Sequence, residues 1–582
     1  MKTIKYTIIA LSIMLVFTRC ELFDPAMLNQ QPPMDITEEK IFSDYNLFKQ
    51  YSDQAYSYIP GHLARMWSVM VPNFGDEMRT MTGGYPFNTG GWNGSNALVA
   101  PEIATIWTNS YAGIRKCNQI LERIDQVPIP TTALKNRHIG EALFIRAFLY
   151  HELTKRWGDV PYIDYTQNPQ VDDIDIARTP YDTIVARQVA DLDRISAENL
   201  LLVDLPDQDN GRASIGAARA LKSRILLYAA RPLHNPTNDI KKWEAAANAA
   251  FEVINMNKYA LYSDYKNLFF QTTCSEIIMN RPRKSFNSEG GHNDFLTSSG
   301  GKSLWARFFA SEGFGGWQGL AVTQNCVDRF EDANGFPLAD SLLSRSVDPT
   351  KAYNSKDPYT NRDPRFKASI LYNGRTFANR TLDYTIPYPG QAGVNGADRG
   401  VKLVNLFSYN LAKYWPESMA GRWSGTSTYL NYIFFRYGEI LLNYAEAQNE
   451  VGGPESSVAG GPSVRQVLTE LRARVGQPEI PVQISGDKNT MRERIWNEFA
   501  VELCFEEHWW YDVLSWKAGE RFFNTMIYRT DVYKKITGSN VTLIYNTKIP
   551  FEQAVFKPYM HLYPIPDNEI FKSKNLINNP GW

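Results

Sequence analysis

The chain has 582 residues, of which 43% are apolar and 21% are charged, and these globular values exclude wholesale disorder. Lysine and arginine total 61 against 62 acidic residues, so the net charge is −1 and the basic surface typical of nucleic-acid-binding proteins is not indicated. The five cysteines form no C-x-x-C pair, which argues against a zinc site or a dense disulfide scaffold and leaves one or two disulfides open.

The N-terminus has the pattern of an export signal. Lys2 and Lys5 stand before a short, mostly apolar stretch from Tyr6 to Phe17. This stretch is shorter than the ~20 residues that span a bilayer core, which favours a cleavable signal over a transmembrane helix. Cys20 follows where a bacterial lipoprotein is cut and acylated, although Arg19 replaces the small residue usual before such a cysteine. We predict a lipid anchor at Cys20, with an ordinary secretory signal as the alternative.

Helical periodicity dominates the first part of the remaining chain. Apolar and aromatic residues recur at spacings of three and four, and prolines separate the periodic stretches. No stretch after the signal reaches the ~18 consecutive apolar residues of a membrane-spanning helix. The helices predicted in this part cover residues 38–58, 102–124, 133–157, 181–199, 212–230 and 242–255.

Two of these helices share a signature. Residues 142–150 follow the pattern A-L-x-x-R-x-x-L-Y, and residues 220–228 repeat it 78 positions later. Side chains three and four apart lie on one helix face, so the Leu, Arg and Tyr of each copy line one side. Small and large residues at set positions are typical of tetratricopeptide-like helix pairs, whose regular repeat is about 34 residues. We interpret the copies as degenerate, interrupted repeats; coincidence between two amphipathic helices is the alternative.

The middle of the chain, residues 257–432, changes character. Gly, Ser, Asn and aromatic residues replace the helical periodicity, as in residues 288–292 and 312–317. Long irregular segments in compact proteins are usually functional. Helices are predicted again over residues 435–451, 463–474 and 491–516, and the Pro- and Asn-rich tail from Tyr563 onward is predicted to be an extended closing segment.

Enzyme motifs occur only as fragments. His151-Glu152 opens the H-E-x-x-H pattern of zinc proteases, but Lys155 occupies the position of the second histidine. Residues 301–303 (G-K-S) resemble the end of a phosphate-binding loop, but Leu296 stands where its first glycine belongs. No G-x-S-x-G occurs, so no nucleophile elbow is predicted.

Three glutamates recur every four residues, at Glu498, Glu502 and Glu506. Paired carboxylates ~5–10 Å apart perform glycoside hydrolysis. A row of glutamates on one helix face is more often solvated or ion-paired than catalytic. Arg492 and Arg494 lie close enough along the helix to pair with Glu498. We predict a structural role and keep hydrolysis by Glu498 or Glu502 as an alternative.

The helix that ends near Trp157 carries a specific resemblance. Residues 146–150 (R-A-F-L-Y) lead into residues 156–162 (R-W-G-D-V-P-Y). Together they resemble the R-A-F-x-Y…Y-G-D-V-P signature of the SusD/RagB family, with Trp157 in place of the usual Tyr. Members of that family are outer-membrane nutrient-binding lipoproteins of Bacteroidetes.

Other blocks of that family follow in the same order. The chain departs from the family pattern at Asn497 and Trp496, where Arg and Glu are expected, and at His508, where Gly is usual. The resembling blocks are residues 20–25 (mature start), 211–213 with 218–228 (second helical motif), 363–366 (D-P-R-F), 435–447 (F-R-Y-G-E-I-L-L-x-Y-A-E-A), 471–476 (L-R-A-R-V-G) and the terminal pair 563–566 (Y-P-I-P) and 579–582 (N-P-G-W).

The resemblance covers about residues 20–582 and implies an almost all-helical fold, with four tetratricopeptide-like helix pairs and an irregular segment that carries ligand loops. Residues 1–19 are then the lipoprotein signal and residues 20–582 one SusD-like unit. Within it we expect an N-terminal helical part at about 38–256, a loop-rich ligand-binding part at 257–432, and C-terminal helices and a tail at 433–582. Family members are binding proteins rather than enzymes. They cover a TonB-dependent transporter of the SusC/RagA type; many bind glycans and some bind peptides.

Two loops combine the residue types that bind sugars, residues 79–96 and 305–318. Flat aromatic rings match the apolar faces of sugar rings, and Asn, Gln and Arg donate hydrogen bonds to hydroxyl groups. For Trp92 and Trp317 packing within the loop is the alternative, and for Arg79 a structural salt bridge. The candidate ligand residues are Arg79, Tyr85, Trp92, Asn93, Asn96, Trp317 and Gln318.

The sequence therefore predicts a lipid-anchored protein on the surface of the outer membrane that binds an oligosaccharide and delivers it to a SusC/RagA-type TonB-dependent transporter. The alternatives are capture of a peptide by the same fold, a secreted glycoside hydrolase, and a helical scaffold that binds only protein. No cofactor, catalytic residue or nucleic-acid partner is predicted. A structural calcium or other metal ion is left open.

Overall fold

The computed structural model describes residues 37–61, 69–80, 84–282, 311–315, 319–338, 348–399, 407–415, 417 and 431–582. Within these residues sixteen α-helices outweigh eleven strands, which confirms the mostly helical fold with tetratricopeptide-like character. The helices are α1 (Glu38–Ser43), α2 (Tyr45–Asp53), α3 (Pro86–Thr89), α4 (Ala104–Arg123), α5 (Thr132–Trp157), α6 (Tyr181–Ala197), α7 (Ile215–Ala230), α8 (Ile240–Ile254), α9 (Gln324–Val327), α10 (Pro364–Ser369), α11 (Tyr437–Gly452), α12 (Val464–Ala473), α13 (Lys488–Glu502), α14 (His508–Ser515), α15 (Gly519–Phe522) and α16 (Asp567–Lys572).

The first predicted helix is divided where a side chain caps a new helix start. Residues 38–58 form α1, α2 and a 3-10 segment instead of one continuous helix. Asp44 lies between α1 and α2 in an extended conformation, and its Oδ1 accepts hydrogen bonds from the N–H groups of Asn46 and Leu47 (2.8 and 3.1 Å). Because these N–H groups have no partner within the helix, an aspartate here favours a new start.

Consecutive helices from α4 to α8 pack against one another, and α8 then packs against α11. The two copies of the repeated signature lie on α5 and α7, and each uses its arginine in the same way. Arg146 pairs with Asp191 of α6 through hydrogen bonds of 2.8 and 2.9 Å. Arg224 pairs with Glu439 of α11 through two hydrogen bonds of 2.6 Å. Each guanidinium thus joins its helix to a neighbour by a two-point contact, which favours the repeat interpretation over coincidence.

The predicted helix over residues 491–516 is broken in the middle. Helix α13 ends at Glu502 and α14 begins at His508. Phe505 and Glu507, which lie between them, have positive φ angles of 64° and 67° that a right-handed helix does not accommodate. The N–H of Phe505 donates to the carboxyl group of Glu77 (2.9 Å). A long-range contact therefore replaces the local helical hydrogen bond at this point.

The strands form small sheets, of which one contains a long hairpin. The hairpin joins β10 and β11 in antiparallel register, and β7 adds to the β10 side in parallel. This hairpin was not predicted from the sequence. The other sheets have the strand orders β1-β3-β8-β4, β2-β9 and β5-β6. The strands are β1 (Met78–Thr80), β2 (Ile277–Arg281), β3 (Leu320–Val322), β4 (Ile370–Leu371), β5 (Thr376–Phe377), β6 (Arg380–Thr381), β7 (Thr385–Pro387), β8 (Asn410–Leu411), β9 (Tyr432–Arg436), β10 (Met526–Thr537) and β11 (Asn540–Gln553).

One hydrophobic core joins the helices that precede the middle segment to those that follow it. The tail from Tyr563 onward contains the short helix α16 and otherwise runs along this core. The indole N–H of Trp157 donates to the carbonyl of Pro564 (2.8 Å), and that of Trp510 donates to the hydroxyl of Tyr563 (2.8 Å). The tail therefore covers one side of this hydrophobic core.

The cysteines of the described part of the chain are free thiols, at Cys117, Cys274, Cys326 and Cys504. Burial raises the pKa of Cys117 to about 12, so this thiol stays protonated. In the ranges that the structure describes, no three His, Cys, Asp or Glu side chains are grouped to hold a metal ion. No helix in the same ranges combines the length and the apolar character needed to cross a bilayer.

Candidate functional site

The pairing of β1 with β3 sets one end of each predicted ligand loop side by side. The strands are antiparallel, with Thr80 opposite Leu320. The backbone that leaves β1 at Thr80 therefore lies beside the backbone that enters β3 at Leu320. The first loop continues from this end of β1, and the second loop leads into β3 at the same end. Trp317 and Gln318 themselves lie outside the described residues, as does Cys20.

Glu552 of β11 holds the beginning of the first loop. One of its carboxylate oxygens accepts a hydrogen bond from Nε of Arg79 and the other accepts one from the N–H of Gly84, both at 2.7 Å. Arg79 also donates to the carbonyl of Met78 (2.9 Å), and its side chain is 1% exposed. Burial lowers the pKa of Arg79, and Glu552 partly offsets this effect. These contacts favour the structural salt bridge over ligand contact for Arg79.

Trp92 lies in the core and not on the surface. Its side chain packs against Phe87, Tyr563 and Trp582, with ring centroids 4.7, 5.0 and 4.6 Å away. It is 2% exposed. At the neighbouring Gly94 a Cβ atom would lie only 2.7 Å from the backbone carbonyl oxygen of Ile565 in the tail. The loop is therefore anchored to the tail, and the packing alternative for Trp92 is the one that these contacts favour.

Tyr85 lies in the same loop as Trp92 but is partly open to solvent. Its ring is half-buried and stacks at 6.4 Å on Phe74. Its hydroxyl donates to the carbonyl of Leu98 (3.0 Å). Burial raises the pKa of Tyr85, so the hydroxyl remains a neutral donor and acceptor. The ring is thus held in one orientation, with part of its surface open to solvent.

The two predicted asparagines shape the loop between Gly91 and Leu98. Asn93 is exposed, and its Oδ1 accepts a hydrogen bond from the N–H of Ser95 (3.1 Å). Asn96 is partly exposed; its Nδ2 donates to the carbonyl of Gly91 (3.2 Å) and its Oδ1 accepts from the N–H of Leu98 (2.9 Å). Such side-chain to backbone bonds fix the turn. Asn93 is the more exposed of the two, so its amide is the better placed to reach a ligand.

Of the second predicted loop, the structure describes residues 311–315. Phe314 packs edge-on against Trp415 and Phe377, with ring centroids 5.2 and 5.9 Å away. These rings belong to a small separate hydrophobic core. Phe314 is therefore a packing residue of this core.

Sequence analysis missed Glu552 because it lies on the unpredicted hairpin, 473 positions from Arg79. A signal for the hairpin was present: strands of mixed apolar and polar residues flank Gly538-Ser539, a pair typical of a tight turn. The partner of Arg79 had no comparable signal, since nothing local links the two positions.

Glu498 and Glu502 of α13 are buried and ion-paired, and Glu506, which lies beyond the end of the helix, pairs with Arg436 and Lys413 (both 2.7 Å). Glu502 is 0% exposed and contacts three guanidinium groups. Burial alone would raise the pKa of Glu502, but the nearby arginines outweigh this effect and hold the pKa well below its usual range. A carboxylate in this state has no proton to donate to a substrate. The contacts of the two buried glutamates are Glu502 with Arg436 (2.8 Å), Arg365 (3.1 Å) and Arg474 (2.5 Å), and Glu498 with Arg365 (2.8 Å) and Arg472.

These contacts give Glu498 and Glu502 a structural role, as predicted, but the partners differ from those that helix spacing suggested. Arg492 pairs with Glu450, and Arg494 lies 3.7 Å from Glu331. Positions four apart on an exposed helix pair with each other, whereas this helix is packed on several sides and its arginines reach neighbouring elements. The observed network is therefore tertiary and not local.

The positions where the chain departs from the family pattern lie beside this network. Asn497 donates from Nδ2 to the carbonyl of Arg329 (3.1 Å). His508 lies 3.9 Å from Glu439 and 3.8 Å from Asp512. Burial, reinforced by nearby arginines, lowers the pKa of His508 far below its ordinary value, so the imidazole is neutral. Trp496 stacks on Trp516, with ring centroids 4.6 Å apart. All three departures are accommodated without a change of fold.

Comparison with known proteins gives matches over most of the chain. The family model described as "SusD family" matches residues 275–582, and the one described as "Starch-binding associating with outer membrane" matches residues 34–227. SusD-like protein P25 of Formosa agariphila is 24% identical over 427 residues, which cover 71% of this chain and 70% of that protein.

Solved structures match over almost the whole chain. A SusD-like protein from Bacteroides fragilis is 26% identical with a TM-score of 0.72, covering 95% of this chain and 100% of that one. A second structure from Bacteroides fragilis, described as a SusD-like carbohydrate binding protein, is 20% identical with a TM-score of 0.71, covering 92% and 100%. Since the first family model alone spans more than half of the sequence, the chain belongs to the SusD family.

Proposed function

We propose that this protein binds an oligosaccharide at the surface formed by loop residues 84–96 and the adjoining end of β3, and passes it to a SusC/RagA-type TonB-dependent transporter. Family membership supports binding of a carbohydrate, as do the starch-binding family description and the likeness to the carbohydrate binding protein of Bacteroides fragilis. The location is supported most directly by the β1–β3 register, because it sets both predicted loops at one edge.

The chemistry of this surface suits a sugar. A ring held in place, such as that of Tyr85, offers a flat apolar area at little cost in conformational entropy. The amide of Asn93 supplies a donor and an acceptor for hydroxyl groups. Trp317 and Gln318 complete the proposed site from the second loop. Arg79 and Glu552 hold the beginning of the first loop in position, and Trp92 anchors the loop to the C-terminal tail.

Affinity electrophoresis tests this proposal. Residues 21–582 would be run in native gels that contain starch, laminarin or other polysaccharides. We expect one polysaccharide to retard the protein, and we expect Tyr85→Ala combined with Asn93→Ala to weaken that retardation about tenfold or more, since an aromatic contact and a hydrogen bond are lost together. Trp317→Ala is expected to act in the same direction.

The matched control is Tyr165→Ala, which removes another exposed tyrosine that lies outside both loops. It should leave the retardation unchanged. An equal effect of Tyr165→Ala would contradict the proposed location. Absence of retardation by any polysaccharide would contradict glycan binding and favour capture of a peptide.

The anchor and the partner need separate tests. We propose that Cys20 carries the lipid and that the protein is displayed on the outer membrane. Metabolic labelling with a palmitate analogue should label the full chain and should fail for Cys20→Ser, with Cys117→Ser as the matched control because Cys117 is buried. A TonB-dependent transporter should co-purify with the anchored protein; labelling that survives Cys20→Ser would contradict the anchor.

A further inference from the structure

Helices α6, α7 and α8 enclose a groove of about 370 Å³ on a part of the fold that the proposed loop surface does not use. Its floor contains the buried Leu192 and Ala218, whose short or apolar side chains leave room between α6 and α7. A volume of this size matches that of small-ligand sites, which run from about 300 to 1,000 Å³. The rim is polar and carries charges of both signs.

Arg219 of α7 is the unusual member of this rim. Its Nε is buried and has no hydrogen-bond partner in the part of the chain that the structure describes. Its guanidinium makes no ion pair with any described residue either, whereas Arg146 and Arg224 on the same run of helices each bind a carboxylate at two points. A buried donor without a partner is costly, on the order of 1–3 kcal/mol. The two terminal nitrogens of the guanidinium are not buried in this way, so they can donate to an acceptor bound in the groove.

The other charges of the groove are already paired. Lys222, one turn beyond Arg219, contacts Asp193 of α6 at 2.8 Å and Glu252 of α8 at 3.2 Å. Both carboxylates are exposed and retain lone pairs for further donors. With two positive and two negative side chains, the rim has no excess positive charge to hold a ligand group with two negative charges. The groove is therefore suited to one planar monoanion at Arg219, accompanied by hydroxyl groups toward Asp193 and Glu252.

We propose that this groove binds the carboxylate of an acidic sugar, a uronic acid residue, with Arg219 as the carboxylate-binding side chain. The planar guanidinium matches a carboxylate through two parallel hydrogen bonds. The sugar hydroxyls donate to Asp193 and Glu252, and the hydroxyl of Ser196 lines the same groove. This site is separate from the loop surface and would bind whether or not that surface binds a neutral glycan.

Isothermal titration of residues 21–582 with trigalacturonic acid at 0.15 M salt tests the inference, since that salt concentration screens long-range charge effects. The fully methyl-esterified trimer is the matched ligand, because it keeps the rings and loses the charges. We expect the acid to bind and the ester not to bind. Arg219→Gln should weaken binding of the acid by about tenfold or more.

Arg187→Gln is the matched variant, since it removes an exposed arginine of α6 outside the groove. It should bind the acid as the wild type does. Arg219→Gln should not lower the temperature of thermal unfolding, because no ion pair is lost and a buried donor without a partner is removed. Its retardation by a neutral polysaccharide should be unchanged. The inference is overturned if the acid does not bind, if acid and ester bind equally, or if Arg187→Gln loses as much affinity as Arg219→Gln. Tighter binding of a sulfated trimer than of the acid would overturn the assignment to a carboxylate.

Discussion

Glu502→Gln is expected to lower the free energy of unfolding by about 3–5 kcal/mol at pH 7, because it leaves buried guanidinium groups without their shared counter-charge. Glu502 contacts Arg365, Arg436 and Arg474, all of them buried. Removing one partner of a buried ionic network is strongly destabilising because it leaves the other charges buried without a counter-charge. Replacing the whole network by apolar residues, in contrast, often changes the free energy of unfolding little. Urea unfolding followed by circular dichroism measures the effect.

The matched control lies on the same helix. Glu493 makes a two-point contact with Arg521 (2.7 and 2.8 Å), but the two side chains are 40% and 55% exposed. Exposed pairs contribute at most about 1 kcal/mol, so Glu493→Gln should have a small effect. Equal losses from the two variants would contradict the role assigned to the buried network.

The effect of Glu502 should also depend on pH. Burial acts to raise the pKa of Glu502, but the surrounding arginines outweigh it and hold the pKa well below the value of an unfolded glutamate, which is about 4.3. The stabilisation is therefore fully present above about pH 4.3 and is lost as the pH falls toward the folded pKa. The difference between wild type and Glu502→Gln should stay constant from pH 7 to about pH 5 and shrink as the pH falls from about 4.3 to 3. A difference that is as large at pH 3 as at pH 7 would contradict this account.

Trp92→Ala is the second change with a large expected effect, a loss of about 3–5 kcal/mol in the free energy of unfolding. The indole fills the space between Phe87, Tyr563 and Trp582, so alanine leaves a large cavity where the loop meets the tail. We expect the retardation by a polysaccharide to weaken as well, through loss of the loop's anchor. Urea unfolding and the same native gels measure the two effects.

Trp92→Phe separates anchoring from ligand contact. The indole N–H is buried and has no hydrogen-bond partner among the residues described, so phenylalanine removes no hydrogen bond and keeps most of the packing. Its cost should stay under about 2 kcal/mol, and glycan binding should be retained. Loss of glycan binding by a fully folded Trp92→Phe variant would show that the indole itself touches the ligand.

The helices were predictable because their signals are local. Periodic apolar residues placed α4, α5, α6, α7 and α8 within three residues of their observed ends. The breaks at Asp44 and at residues 503–507 were not predicted, although Asp44 is a good capping residue. The second break depends on Glu77, which is distant in the sequence and buried beside Phe505. No pattern of nearby residues reveals such a contact.

The prediction of two ligand loops rested on composition, which does not place individual side chains. Residues 79–96 were predicted to be one loop, but Met78–Thr80 forms β1 and Pro86–Thr89 forms α3. Tryptophan, moreover, is both a sugar-binding residue and a large apolar one. Trp92 became part of the core because three aromatic rings surround it, and two of them, Tyr563 and Trp582, come from the distant tail. The salt bridge of Arg79 needed the hairpin, which was not predicted from the sequence.

The position of the tail has a consequence for how the chain reaches its native state. Trp157 donates its indole N–H to Pro564, 407 positions later, and the N–H of Tyr563 donates to the carbonyl of Arg156 (2.7 Å). Contacts that span so much chain form late, because the loop between them must close first. The apolar side of the N-terminal helices that packs on the tail therefore stays uncovered until residues 563–582 have been synthesised. A chain that stays incompletely folded for that long exposes apolar surface to solvent, and we expect it to aggregate more readily than the full-length chain.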